Sequence, residues 1–258
     1  MRSTAADPQG FERSSRPPVF LVPAADLVGD RLVLTGQEGR HASTVRRLRL
    51  GERVDVTDGA GSVGECVVDA SRPGELALTV IARRTQPQPQ PQVTVVQAVP
   101  KGDRGELAVE LLTEVGADTI VPWAAQRCVA VWRGERAAKS QARWSAAAVQ
   151  AAKQSRRAWF PQVTEQADGA GVAGRLAAAA AAIVLDPEAE MSVADVALPD
   201  AGEIVLVVGP EGGIAPHETQ AFQAAGAAPA RLGPTVLRSS SAGVVAAGIL
   251  LSRTRRWA

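Results

Sequence analysis

The chain has 258 residues, 28 basic against 27 acidic side chains and 46% apolar residues, with a mean hydropathy of zero. That length suggests one or two domains and buries enough surface to fold without a disulfide or metal staple; Cys66 and Cys128 are the only cysteines, too few for a disulfide framework or a zinc ribbon, which favours a reduced cytoplasmic setting and no metal. The longest apolar runs, 176–185 and 242–251, fall short of the roughly 20 residues that span a bilayer, so no membrane partner is expected, and a formal charge of +1 argues, taken as a total, against a polyanionic partner.

Residues 1–18 mix Pro, Ser and charge without an apolar core and read as a disordered leader. Short β-type runs follow at 19–22, 31–34, 53–57, 63–69 and 76–82, separated by turn signals such as Asp58-Gly59 and Pro73-Gly74. That spacing predicts a small all-β barrel over 19–84. In RRTQPQPQPQ, residues 83–92, proline at every second position removes ladder donors and fixes φ, which predicts a semi-rigid extended spacer, placed at 85–92.

From residue 93 onward the pattern changes. Residues 93–99 form a continuous apolar run suited to a strand buried on both faces, and 103–116 follow with helical spacing at Leu107, Leu111 and Val115. The remaining candidates are strands 119–123 and 127–132, helices 136–155 and 171–181, strands 182–186 and 203–208, and helices 216–226 and 241–253, with Ser241 as the N-cap of the last. Strands separated by helices predict an α/β domain over 93–258 with a mostly parallel sheet. Ligands on such sheets bind outside the carboxyl ends of the strands.

Counted by segment, the charge is uneven. Residues 1–90 carry a net +1, 91–160 a net +4 and 161–258 a net −4. Arg40, Arg46, Arg47 and Arg49 cluster in the first domain. In the second, Lys139, Arg143, Lys153, Arg156 and Arg157 follow one another with no intervening acid. A solvated helix face and a phosphate-binding surface both fit such runs.

The sharpest local feature is EIVLVVGPEGGIAPHE, residues 203–218, in which a buried strand runs into a Gly-rich turn and a helix opens with Pro216 and Glu218 in its first turn. Glycines let the backbone approach a ligand and offer it N–H and C=O groups; a plain tight turn is the alternative. Neither the dinucleotide fingerprint nor a phosphate loop matches. A second loop, LGPTVLRSSS at 232–241, could form the other wall of one cleft, with Arg238 facing an anionic or electron-rich group or pairing structurally. His217 reads as an exposed residue in a helix's first turn.

Four blocks, in chain order Val99-Pro100-Lys101-Gly102-Asp103-Arg104, Ala152-Lys153-Gln154-Ser155, Gly209-Pro210-Glu211-Gly212-Gly213 and Leu232-Gly233-Pro234-x-x-Leu237-Arg238, resemble the 16S ribosomal RNA (uracil-N3) methyltransferase family of the SPOUT superfamily. His41-x-x-x-Val45-Arg46-Arg47-x-x-x-Gly51 extends the resemblance into the first domain. It implies a PUA-like RNA-binding β-barrel followed by an α/β methyltransferase domain with a trefoil knot, a homodimer, and S-adenosyl-L-methionine as cofactor. The implied reaction is methyl transfer to N3 of a single uridine in 16S rRNA of the small ribosomal subunit.

On that pattern Leu185, Gly209, Pro210, Glu211, Gly212, Gly213, Ile214, Leu232, Gly233 and Leu237 would surround the cofactor, while Arg238 and Glu211 would face the uridine as catalytic residues. RNA contacts would come from Arg40, His41, Arg46 and Arg47 in the first domain, and from Lys101, Arg104, Arg127, Lys153, Arg156 and Arg157 in the second. For His41, RNA contact and structural hydrogen bonding are equally open. With no Tyr and four Phe, extensive base-stacking platforms are not expected. Many relatives carry Arg in place of Thr235 and Thr-Glu-Thr in place of Ser239-Ser240-Ser241, which leaves the proton acceptor unassigned. It also motivates an alternative, a non-catalytic RNA-binding ribosome-assembly factor on the same fold. A dinucleotide-binding oxidoreductase is disfavoured because the fingerprint is missing after 93–99.

Overall fold

The computed structural model describes residues 16–102, 104–130 and 132–257. Most of the proposed leader, 1–15, lies outside the described residues. The chain divides into two compact units, one reaching to Asp58 and resuming over Ser62–Arg84, the other comprising Gly59–Gly61 and everything from Thr85 on.

The first unit is a five-stranded sheet of β1 (Val19–Leu21), β2 (Arg31–Leu34), β3 (Arg53–Thr57), β4 (Ser62–Arg72) and β5 (Glu75–Thr85), ordered β1-β3-β4-β5-β2. β1 lies parallel to β3, whereas β3–β4 and β2–β5 are antiparallel. Alternation supplies its core: on β2, Leu32 and Leu34 point inward and Arg31 and Val33 outward, and they meet Phe20, Val54, Val56, Cys66, Leu76 and Leu78. Burial pushes the Cys66 thiol up to about 11, with the Asp55 carboxylate adding to the effect. A short helix not foreseen from sequence, α1 (Gly36–Arg40), runs on into a π-turn at His41–Val45. The Ser43 hydroxyl pins this turn, donating to Gly39 O at 2.8 Å and accepting from Gly74 N at 3.0 Å.

The second unit carries a six-stranded parallel sheet, β11-β9-β10-β6-β7-β8, made of β6 (Gln92–Ala98), β7 (Thr119–Trp123), β8 (Gln162–Val163), β9 (Ala181–Leu185), β10 (Glu203–Val208) and β11 (Ala228–Ala230). Its two central strands, β10 and β6, are apolar on both faces because helices cover both. Val93, Val95, Ile204 and Leu206 pack with Leu112, Trp144 and Leu250, from helices α2 (Arg104–Val115), α3 (Glu135–Gln154) and α6 (Ser239–Ser252). Val96, Val205 and Val207 pack with Val172, Leu176 and Phe222 from α4 (Gly169–Ala178) and α5 (Pro216–Ala224). Each fully buried Leu or Val contributes roughly 1.5–3 kcal/mol relative to exposure.

Two expectations fail here. Within the expected strand 127–132 the described residues, 127–130 and 132, form no strand but irregular loop, because β7, the strand they follow, is already paired on both edges, by β6 and β8. Ser241 is not the N-cap of α6. The chain enters that helix through Arg238 at ψ 149°, and Ser241 lies within its first turn, its hydroxyl donating to Arg238 O at 3.2 Å.

Candidate active site

At the carboxyl ends of β9 and β10, where a parallel sheet offers its crevice, lies a cavity of about 520 Å³. Leu185 closes β9, the turn after β10 contributes Gly209, Pro210, Glu211, Gly213 and Ile214, and the segment after β11 contributes Leu232, Gly233, Thr235, Val236, Leu237 and Arg238. Both Gly/Pro loops therefore face one space, and Glu211 and Arg238 both line it. Ser239 and Ala242 add the first turn of α6.

The sequence explains the shape of the first loop. A Cβ on Gly209 would sit 2.7 Å from Ile214 Cγ1, so only glycine lets the strand end fold against its own loop. Gly213 takes φ 73° and donates to Pro210 O at 2.9 Å, closing a turn. Glu218, 6% exposed, reaches back from α5, accepting from Ala215 N at 3.1 Å and from Gln126 N at 2.9 Å. It performs half of a capping box, since Ala215 has no side-chain acceptor to return the bond. The same carboxylate joins the glycine loop to the loop after β7.

Gly212 departs from the expectation that it lines the cofactor site. It is not among the residues that line the cavity; its carbonyl accepts from Arg127 Nη1 at 3.1 Å, with Arg127 Cβ at contact distance from the position a Gly212 Cβ would take. Arg127, expected as an RNA contact, is exposed and braces the glycine loop. Sequence reasoning missed Asp186, Thr219, Val236 and Ser239, which also line the cavity. Asp186 could have been found from its position directly after a strand end, and Ser239 from its place beside Arg238. Beneath Ser239 lies Gln97, a fully buried residue of β6 whose Nε2 donates to the Ser239 hydroxyl at 2.9 Å.

Cys128 is half-buried in the loop after β7. Burial raises its thiol pKa above the ordinary value, backbone hydrogen bonding opposes the shift, and the nearby Glu211 and Glu218 carboxylates reinforce it. The shift favours the protonated and less nucleophilic form of the thiol.

The expected RNA contacts separate into distinct groups. Lys101 and Arg104 are exposed near the carboxyl end of β6, and Arg156 is half-buried with φ 58°. Lys153 and Arg157 are corrected. Lys153 is 8% exposed, and the Arg157 guanidinium is enclosed, donating to Trp159 O at 2.8 Å, Thr113 O at 2.9 Å, Ala117 O at 2.5 Å and Asp118 at 3.1 Å. Burial lowers the Arg157 pKa, and Asp118 holds it up. Arg256 meets the same carboxylate at 2.5 Å, and Asp118 also accepts from Val93 N at 2.8 Å. These arginines knit the chain's C-terminal end to the amino ends of β6 and β7, so they are unavailable to phosphates. In the first unit Arg40, Arg46 and Arg47 are exposed, whereas His41 is half-buried and edge-on to Phe20, ring centroids 6.1 Å apart.

Among the described residues no group of three or more His, Cys, Asp or Glu side chains is placed to hold a metal, and no helix is long and apolar enough to cross a membrane.

Two family models match the chain: an RNA methyltransferase domain over residues 86–251 and an RNA methyltransferase PUA domain over residues 34–81. Ribosomal RNA small subunit methyltransferase E of Mycobacterium bovis is 47% identical over 247 residues, 93% of each chain. Ribosomal RNA small subunit methyltransferase E of Neisseria gonorrhoeae, solved bound to S-adenosyl methionine, superposes with a TM-score of 0.81 at 26% identity, covering 92% of this chain and 97% of that one. A Legionella pneumophila chain shares the fold at 23% identity, with a TM-score of 0.84 over 93% of this chain and 98% of that one.

Proposed function

The chain belongs to the ribosomal RNA small subunit methyltransferase E family, and from that premise we propose that it transfers a methyl group from S-adenosyl-L-methionine to N3 of a single uridine in 16S rRNA. The observation that carries this reading is the convergence of both Gly/Pro loops, with Glu211 and Arg238, on one cavity at the carboxyl ends of β9 and β10.

The residues present fit the cofactor. A volume of about 520 Å³ lies within the roughly 300–1,000 Å³ range of small-molecule sites. The lining combines aliphatic side chains with backbone donors and acceptors, and Gly209 leaves no room for a Cβ beside Ile214. Bound there, the cofactor supplies a methyl group on a sulfonium centre that is open to in-line displacement. Backbone groups of the two loops, with Leu185 and Leu237 beside them, hold and orient it, and positioning of this kind accounts for much of such a rate. N3 of uracil is a weak acid and must lose its proton before its lone pair attacks. The Arg238 guanidinium stabilises the uracil anion by a fixed charge that needs no reorganisation, and Glu211 orients its loop or accepts the proton.

In this reading the exposed cations Arg40, Arg46 and Arg47 of the first unit, with Lys101, Arg104 and Arg127 of the second, contact RNA phosphates and add salt dependence with little sequence information. We also infer from family membership that the C-terminal segment threads a trefoil knot, that the protein is a cytoplasmic homodimer, and that residues 19–84 and 93–258 act as separate domains. Partly exposed apolar Val245 and Trp257, 41% and 53% exposed, supply apolar surface for a second copy.

Labelled S-adenosyl-L-methionine supplied with small subunits lacking the modification tests the reaction. The label is expected on N3 of one uridine, and Arg238→Ala is expected to slow transfer about 100-fold, the usual effect of removing one charge-stabilising donor. Label on another atom overturns the position, and unchanged turnover in Arg238→Ala overturns its role. Binding of both cofactor and RNA without any transfer overturns the enzymatic reading in favour of an assembly factor.

A further inference from the structure

A second cavity, of about 240 Å³, opens in the same unit near the carboxyl ends of β6 and β7. Its lining includes Trp132, Trp144, Glu106, Arg143, Ser140 and Gly102. None of these belongs to the cofactor cavity, and Trp132 sits in the loop after β7 that also reaches the glycine loop through Arg127. We infer that this cavity takes one nucleobase of the RNA strand near the target uridine, and that a guanine edge matches it. The inference rests on the RNA-methylating reading above and names a part of its substrate.

Three features carry it. First, the two indoles meet edge to face, centroids 5.0 Å apart at 81°, and half-buried Trp132 supplies an aromatic surface of the kind on which bases stack. Second, Glu106 Oε1 and Arg143 Nε lie 3.7 Å apart, beyond hydrogen-bond distance, with 39% and 66% of their side-chain surfaces exposed. Both groups thus retain capacity for a third partner. A carboxylate accepts and a guanidinium donates, so the pair calls for a ring edge with donors beside acceptors. Guanine alone carries two acceptors, N7 and O6, next to two donor nitrogens, N1 and N2, and arginine pairs with that N7/O6 edge. Third, β9, β10, β6 and β7 are consecutive neighbours, which puts the two cavities roughly 10 Å apart at the strand spacing of a sheet. A single strand of RNA spans that in a few nucleotides. Lys101 and Arg104, exposed on either side of Gly102 in sequence, offer cations to its phosphates.

The five tryptophans and absent tyrosines make intrinsic fluorescence a direct probe on the full chain. Titration with guanosine 5′-monophosphate is expected to quench it at concentrations about tenfold below those needed for the adenosine, cytidine and uridine monophosphates. Trp132→Phe is expected to lose the quenching. Glu106→Gln, which keeps all five indoles and so reports its own folding, is expected to lose the guanine preference. Calorimetric affinity for S-adenosyl-L-methionine stays unchanged in both variants. No response to guanosine monophosphate, an equal response to all four nucleotides, or a guanine preference that survives Glu106→Gln overturns the inference. Should the wild-type protein show the guanine response yet methylate no RNA, the reaction proposed above fails and the base-binding cavity stands.

Discussion

Residues 209–215 and 232–238 wall the same cavity, yet the first loop is tied down and the second lies open. Glu218 and Arg127 hold the first from outside, and the Gly213–Pro210 hydrogen bond holds it from within. In the second, Pro234 through Arg238 are all exposed, Val236 at 82%. The difference separates two jobs: a rigid wall fixes where a ligand sits, and an open wall carries the groups that meet what arrives from solvent. Arg238 belongs to the open wall and also begins α6, so its backbone is fixed while its guanidinium remains accessible.

Substitutions can break this contrast. Glu218→Ala strips the acceptor from two backbone N–H groups, one of them buried at Ala215, and is expected to destabilise the protein by about 2–4 kcal/mol, read from urea denaturation, with cofactor affinity lost in parallel. Gly209→Ala forces a Cβ against Ile214. A cost of about 1–3 kcal/mol is expected for such overpacking, and cofactor binding by calorimetry should fall more steeply than stability. On the open wall stability is spared: Leu237→Ala is expected to change it by less than about 0.5 kcal/mol while weakening the cofactor about fivefold, the worth of one small apolar contact.

The smallest effect concerns Cys128. Its folded-state pKa is raised, first by burial, above the ordinary thiol value of 9.0, so the associated stability is fully present below that ordinary value and is lost as pH rises through the higher folded-state one. At pH 8 iodoacetamide is expected to label Cys128 several-fold more slowly in the folded protein than in urea. Glu211→Gln, by removing one of the lesser charges that raise it, should quicken labelling by less than about twofold. A large acceleration would mean that charge, and not burial, protects the thiol.

Much of this was legible in sequence because it rests on local pattern. The apolar runs of β6 and β10 announce a sheet covered on both faces, and the glycine pattern around Gly209 and Gly233 announces backbone exposed to a ligand. The run at 127–132 misled for a physical reason: Val129, Ala130 and Trp132 suit a strand, but neither edge of β7 was open to pair with one. Arg157 misled because a charge count cannot tell which side of the surface a guanidinium lies on; its turn toward Asp118 depends on a carboxylate 39 residues earlier.

Periodicity and contiguous motifs were enough to read the two kinds of domain, the order of their main elements, the family and the two Gly/Pro loops that wall the cavity. It took the folded chain to show that the Gly212 carbonyl meets Arg127, that Lys153 is buried and the Arg157 guanidinium enclosed, and that Glu218 braces two loops at once. Those outcomes depend on contacts between residues distant in the chain, and a linear pattern records which groups are available without recording which of them meet.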